Sequence, residues 1–212
     1  MLKPDRYRIE PVLYTEGMSK QDLYNAAAER VAEICNHHWN IPVPKTQPTP
    51  HPRFINMMYG SGGAHFGLYH GGQIYVNVKD SSTPVRVRGR AWSYPGNKTD
   101  RTASGILFHE LGHHVQANLR MNAELWRQIV DEAKNEAISG YEPTYDESFA
   151  ETLRLFSSNP DLLRLACRRR YAFVTQYIQP WHCATWREAL AGAPPFIIEN
   201  AARWAKVNVT AG

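Results

Sequence analysis

The stretch that most constrains this chain is Ile106-Leu107-Phe108-His109-Glu110-Leu111-Gly112-His113-His114, a His-Glu-x-x-His pattern inside a helix-like run. At 3.6 residues per turn, positions i and i+4 stand one above the other, so His109 and His113 present their imidazoles from a single face. That is half of a zinc site. A catalytic zinc has three protein ligands and keeps a further position for water, so a third donor must arrive from elsewhere in the chain. Glu110 falls beside the first His, where its carboxylate can take a proton from a metal-bound water. The competing reading is a solvated helix face. Ile106, Leu107, Phe108, Leu111 and Val115 argue against it, because they make a core-type helix in which two His and a Glu without partners would be costly to bury.

A chain of 212 residues suffices for one domain with a sizeable core, and 43% hydrophobic against 21% charged residues excludes a chiefly disordered protein. The formal charge of +4 includes a cluster at Arg168-Arg169-Arg170. So small a surplus is commonly a solvated face, and nucleic acid is not the expected partner. Cys35, Cys167 and Cys183 are odd in number and widely spaced, the pattern of free thiols in a reducing compartment. Nowhere do 18 consecutive apolar residues occur, and no apolar run follows the charged N-terminus, so no membrane span or signal peptide is expected. The expected location is a cytoplasm; a virion component, or a protein exported without a signal, has the same appearance.

Read in order, Val12-Leu13-Tyr14 is a short extended patch. Ser19 and Asp22 cap a helix in which Leu23, Ala27, Val31, Ile34 and Cys35 recur at core spacing to about His38. Five prolines between Ile41 and Pro52 demand an extended or looping connection. Phe54 to Tyr59 reads as a short strand. Phe66 to His70 and Gln73 to Lys79 flank Gly71-Gly72 as a hairpin, with Ile74, Val76 and Val78 on its buried face. An exposed edge beside a zinc helix can accept an extended peptide as a further strand. Asp80 to Lys98 reads as a long loop, with Arg86, Arg88 and Arg90 as solvated charge. Asp100 or Thr102 then caps the zinc helix, which runs to about Leu119. A further helix carries Leu125, Trp126 and Ile129 at core spacing and stops near Gly140 and Pro143. Beyond Pro160, Leu162, Leu163, Leu165 and Ala166 mark another helix. The aromatic residues Tyr171, Phe173, Tyr177, Trp181 and Trp186 cap the core, and a last helix spans Phe196 to Lys206.

Two acids compete to close the metal site. Glu136 lies 23 residues after His113 and superficially resembles the ligand helix of thermolysin. That pattern has an Asp four residues after its Glu, where this chain has Gly140. Glu147 lies 34 residues after His113, with Glu151 at i+4. The first can bind metal while the second accepts a hydrogen bond from the free ring nitrogen of a ligand His. A capping box, Thr144-x-x-Glu147, is the competing reading. The need for a carboxylate, and the core-type residues Phe149, Ala150, Leu153 and Phe156, favour Glu147 as ligand.

The pattern His109-Glu110-Leu111-Gly112-His113, then Glu147-Ser148-Phe149-Ala150-Glu151-Thr152-Leu153, then Ser158-Asn159-Pro160, resembles the small gluzincin metallopeptidases. Within them it is most similar to the catalytic domain of anthrax lethal factor and its phage-encoded and bacterial relatives. The likeness covers roughly residues 73–179 and departs from the family in Ser148, where an aromatic is usual. It implies zinc held by His109, His113 and Glu147, Glu110 as general base and Glu151 behind the ligand His. It also implies a Tyr ahead of the ligand Glu that stabilises the transition state. Tyr141, whose turn precedes the helix, is favoured, with Tyr145 also available. His114 points about 100° away from His113 and is expected to pack or face solvent.

The expected architecture is α+β and zincin-like: a small antiparallel or mixed sheet whose edge strand packs on the active-site helix, with a helical C-terminal part. One domain over 1–212 is expected. It comprises an N-terminal helix and proline-rich connection (1–53), a sheet region (54–98), the zinc-binding helices (99–160) and a helical cap (161–212). The expected activity is hydrolysis of a protein or peptide substrate. The alternative is a non-catalytic, zinc-stabilised binding or virion protein that uses a basic surface. A retained Glu110 favours the enzyme, since a structural site needs no base.

Overall fold

The computed structural model describes residues 18–52, 66–82, 100–132 and 138–175. The expectations for Val12 to Tyr14, for Phe54 to Tyr59, for Arg86, Arg88 and Arg90, for Glu136 and Cys183, and for the chain from Tyr177 onward lie outside the described residues.

Helix α1 (Lys20–Glu33) begins at Ser19, whose hydroxyl accepts the Asp22 N–H at 3.1 Å while the Asp22 carboxylate takes the Ser19 N–H at 3.0 Å. Leu23, Ala27 and Val31 are fully or almost fully buried along one stripe. The helix then widens into a π turn over Ile34–Trp39, closed by Asn40 in the left-handed region (φ 51°), a conformation that Asn tolerates. Cys35 and Cys167 are buried.

Three short strands follow in the order β1-β3-β2: β1 (Lys45–Gln47), β2 (Gly67–His70) and β3 (Gln73–Val76). The proline-rich connection thus contributes a strand, which pairs parallel with β3. It is a three-residue interruption between Pro44 and Pro48, at the sheet margin where the missing proline donors cost least. β2 and β3 form the hairpin, turning at Gly71 (φ 58°) and Gly72 (φ 77°), dihedrals that suit a tight two-residue turn. Gly67 pairs with Val76 and Tyr69 with Ile74, so these four share a face, and Ile74 and Val76 are fully buried. Among the described residues, β2 is the margin opposite β1.

The buried face lies on α2 (Ala103–Asn118), which also packs against α1 and α4 (Tyr145–Ser158). Surrounded in this way, α2 buries residues from Ala103 to Val115 on nearly every side. Thr102 caps it by accepting the Gly105 N–H at 3.1 Å, and Asp100 in turn accepts from the Thr102 N–H and hydroxyl at 3.0 and 2.7 Å. At the α2–α4 crossing, a Cβ on Gly112 would stand 2.6 Å from the Ala150 Cα. The two helices approach as closely as glycine permits.

Helix α3 (Ala123–Glu132) lies at the periphery: Trp126 is buried against Phe149 and Phe173, whereas Leu125 faces solvent. Core spacing overstated its burial. Asn159 and Pro160 divide α4 from α5 (Pro160–Ala166), with the Asn159 carboxamide accepting the Leu162 N–H at 3.1 Å. α6 (Arg168–Thr175) then packs on α4 and α5. The architecture is α+β, mostly helical around a small mixed sheet. Among the described residues no helix is long and apolar enough to cross a membrane.

Candidate metal centre

One turn of α2 carries His109 and His113, whose ring centroids lie 5.0 Å apart. Across the crossing, the Thr144 hydroxyl caps α4 by accepting the Glu147 N–H at 3.2 Å. The Glu147 carboxylate turns towards the two imidazoles: its Oε2 lies 3.0 Å from His109 Nε2 and 3.6 Å from His113 Nε2. The three side chains bring one ligand atom each to within 4.8 Å of one another and could hold a metal ion.

The donor set fits such an ion. Ligands on a tetrahedral ion with bonds near 2.0–2.1 Å stand about 3.3 Å apart, close to the two distances seen. Glu147 Oε2 is buried and makes no hydrogen bond of good geometry, although it faces two ring nitrogens. A buried carboxylate oxygen so placed suits a cation, either a metal ion or a protonated imidazole. Burial opposes ionisation of Glu147, but the imidazoles of His109 and His113 outweigh it and hold the carboxyl below the usual range. Burial likewise disfavours charge on His109, yet Glu147 and Glu151 push its pKa up to about 10. The pocket concentrates negative charge around the ring, and a divalent ion would compete with the proton there.

Behind these three side chains, the Glu151 carboxylate accepts from His109 Nδ1 at 2.7 Å and is fully buried. Arg154, also fully buried, donates Nε and Nη2 to the two oxygens of Glu151 at 3.0 and 2.9 Å. Burial would raise the Glu151 carboxyl, but Arg154, then His109, hold it down at about 2. Arg154 Nη1 has no hydrogen-bond partner and faces Asp100 Oδ2 at 3.8 Å.

Glu110 points into the same cleft and is 7% exposed. Burial pushes its carboxyl upwards, while His109, His113 and a hydrogen bond from the Tyr69 backbone N–H oppose the shift. Gly67 makes room for it: a Cβ there would meet Glu110 Oε1 at 2.5 Å.

Of the two tyrosines, Tyr141 faces the centre, its ring 5.8 Å from that of His109. Partial burial and the carboxylates of Glu147, Glu110 and Glu151 raise its phenol, which therefore stays protonated as a donor. Glu142 anchors this turn. It accepts the N–H groups of Ile138 and Ser139 at 2.7 and 3.0 Å, the Ser148 hydroxyl at 3.0 Å and Arg170 Nη2 at 2.8 Å. Tyr145 instead donates to Asp131 at 3.1 Å. His114 packs: its Nε2–H donates to the Pro42 carbonyl at 2.7 Å, and burial lowers its pKa.

The groups line a cleft of about 890 Å³. Phe66 and, in β2, Gly67 to Tyr69 form one wall and Tyr141, Thr144, Asp146 and Glu147 belong to the other, with Arg101 among the lining residues ahead of α2 and Gln116 near its end. Of the arginine cluster, Arg170 is buried against Glu142 and Arg169 pairs with Glu132 at 2.9 Å.

Arg154 and its contact with Asp100 escaped sequence reasoning, as did the Glu142–Arg170 anchor. A signal existed for the first: Arg154 follows Glu151 by three and sits within Leu153-Arg154-Leu155-Phe156, where a charge among core positions demands a buried partner. No family model, curated protein or solved structure matches the chain.

Proposed function

We propose that the protein is a zinc-dependent peptidase of gluzincin type with a zincin-like fold. The observation that carries this reading is the convergence of His109, His113 and Glu147 beside the buried carboxylate of Glu110 in one open cleft. Two imidazoles and a carboxylate also suit non-haem iron, but Glu110 beside them favours hydrolysis. A zinc ion held by these residues supplies Lewis-acid polarisation of the scissile carbonyl and lowers the pKa of the attacking water.

The protein's own groups do the rest. Glu110 accepts a proton from water as its oxygen bonds to the carbonyl carbon. It then delivers that proton to the nitrogen as the C–N bond breaks. The raised carboxyl of Glu110 suits this exchange, because a base with a higher pKa is the better acceptor and still gives the proton up. The phenol of Tyr141 donates to the oxyanion. Glu151 takes the Nδ1–H of His109 and so leaves Nε2 free to ligate. Among the described residues β2 is a sheet margin, whose main-chain groups other than the Tyr69 N–H would meet an extended substrate.

A non-catalytic, zinc-stabilised binding or virion protein would need neither a buried base nor an open cleft. Its proposed basic surface is weakened by the pairing of Arg169 and Arg170. Metal analysis together with Glu110→Gln tests the proposal. We expect about one zinc per chain in both proteins, with cleavage of a mixed peptide library lost in the variant. Unchanged cleavage by Glu110→Gln, or a wild-type protein that takes up no zinc, overturns it.

A further inference from the structure

Arg154 takes no part in the steps above, yet it is the bulkiest class of side chain to be wholly buried and is expensive to remove from water. Its Nε and Nη2 grip both oxygens of Glu151, and one of these oxygens, Oε1, also receives the His109 ring nitrogen. Its third nitrogen, Nη1, lies 3.8 Å from Asp100, whose carboxylate holds the Thr102 cap at the start of α2. One guanidinium therefore faces both the carboxylate that aims a ligand and the beginning of the helix that carries it.

The geometry points to Arg154 as a positioning residue for the metal site: its forked grip fixes the plane of the Glu151 carboxylate, and thereby the direction of His109 Nε2. The fork matters as well as the charge. A guanidinium meets a carboxylate through two parallel hydrogen bonds, whereas an ammonium is a point charge that leaves the carboxylate free to rotate. Free to rotate, Glu151 would no longer hold the His109 ring against Glu147 and His113. Asp100 completes the arrangement by tying the same guanidinium to the α2 cap, so a shift of α4 against α2 is felt at the ligand.

The inference rests on the zinc reading above. Its test is a double-mutant cycle on zinc affinity, measured by chelator competition with wild type, Arg154→Lys, Glu151→Gln and the double variant. Thermal unfolding of the metal-free proteins runs alongside. Lys keeps the buried charge and Gln a hydrogen-bonding group, and the unfolding curves show that each variant compared is folded. We expect Arg154→Lys and Glu151→Gln each to weaken zinc binding, by about 10- to 100-fold for groups that orient a ligand. The double variant should bind no more weakly than Glu151→Gln alone, because Arg154 acts through that carboxylate. A lower melting temperature for Arg154→Lys with unaltered zinc affinity overturns the inference, as do penalties that multiply in the double variant. Wild-type protein that binds no zinc overturns the zinc reading and this inference together; wild type that binds zinc without coupling in the cycle overturns this inference alone.

Discussion

Gly67 leaves space for the Glu110 carboxylate: in β2 any side chain would point into Glu110 and Ile106, at 2.5 Å from Oε1 and 2.7 Å from the Ile106 Cγ2. The helix that carries both is packed on nearly all sides and cannot retreat, so the Glu110 side chain must swing aside. Gly67→Ala should therefore displace the Glu110 carboxylate while leaving His109, His113 and Glu147 alone. We expect kcat to fall about 10- to 100-fold, the scale of a misplacement near 1 Å, with zinc content unchanged. Steady-state kinetics with metal analysis decides the matter; equal loss of zinc would mean that the glycine supports the ligands instead. At this scale the sequence was informative wherever a local rule joins type to spacing. His109 and His113 share a face because the helix period requires it, and Glu147 and Glu151 follow the same rule one helix later. The need for glycine at position 67 was illegible, because it arises from a neighbour 43 residues away; Tyr141 was favoured over Tyr145 only by its place ahead of the helix, without the contacts that fix it. Its turn is set by Glu142 and Arg170, 28 residues apart.

The elements that matter are α2 and α4, since each carries part of the site and their crossing sets its span. Gly112 stands at that crossing. A methyl group there meets Ala150 backbone atoms at 2.6 to 3.2 Å, and backbone cannot swing aside as a flexible side chain would. Gly112→Ala gains helix propensity worth up to about 1 kcal/mol. It loses about 1–3 kcal/mol to overpacking, so the crossing outweighs propensity and the helices should part slightly. Glu147 and Glu151 then move together relative to His109 and His113. The expected result is a lower melting temperature and weaker zinc binding at once. The gap in melting temperature between zinc-loaded and chelated protein should accordingly shrink, as mass action requires when affinity falls. Scanning calorimetry with and without chelator reads both. An unchanged gap would show that the crossing bears load without setting the site. The hairpin and the α1 cap were visible in advance because Gly-Gly and Ser-x-x-Asp are local signals, whereas the α2 cap was left between Asp100 and Thr102. β1 was not visible, because three residues between prolines become a strand only when β3 is there to pair with them.

For the molecule as a whole, the direction of the cleft follows from how β2 lies along α2. Gly67 sits over Ile106 and Glu110, whereas Tyr69 reaches Glu110 through its N–H and His114 through its ring, so strand and helix run the same way. Arg101 lines the cleft ahead of the start of α2, its guanidinium 5.3 Å over the Phe66 ring. Near the other end, Asp146 accepts from the Gln116 amide at 2.6 Å. A peptide joining β2 antiparallel, the commoner pairing, would direct its C-terminal part towards Arg101 and its N-terminal part towards Asp146. Acidic residues downstream of the cleaved bond and basic residues upstream should then be preferred. Both charges are exposed, so each preference should be modest: about 0.2–1 kcal/mol, or roughly 1.4- to 5-fold in kcat/KM, and weaker at high salt. Arg101→Glu should invert the downstream preference alone, and Asp146→Lys the upstream preference alone. A library randomised on both sides of the bond and profiled at low and high salt separates the possibilities. Reversed positions would mean parallel docking, and a salt-insensitive profile unmoved by either swap would assign substrate choice to the apolar wall formed by Phe66 and Leu68.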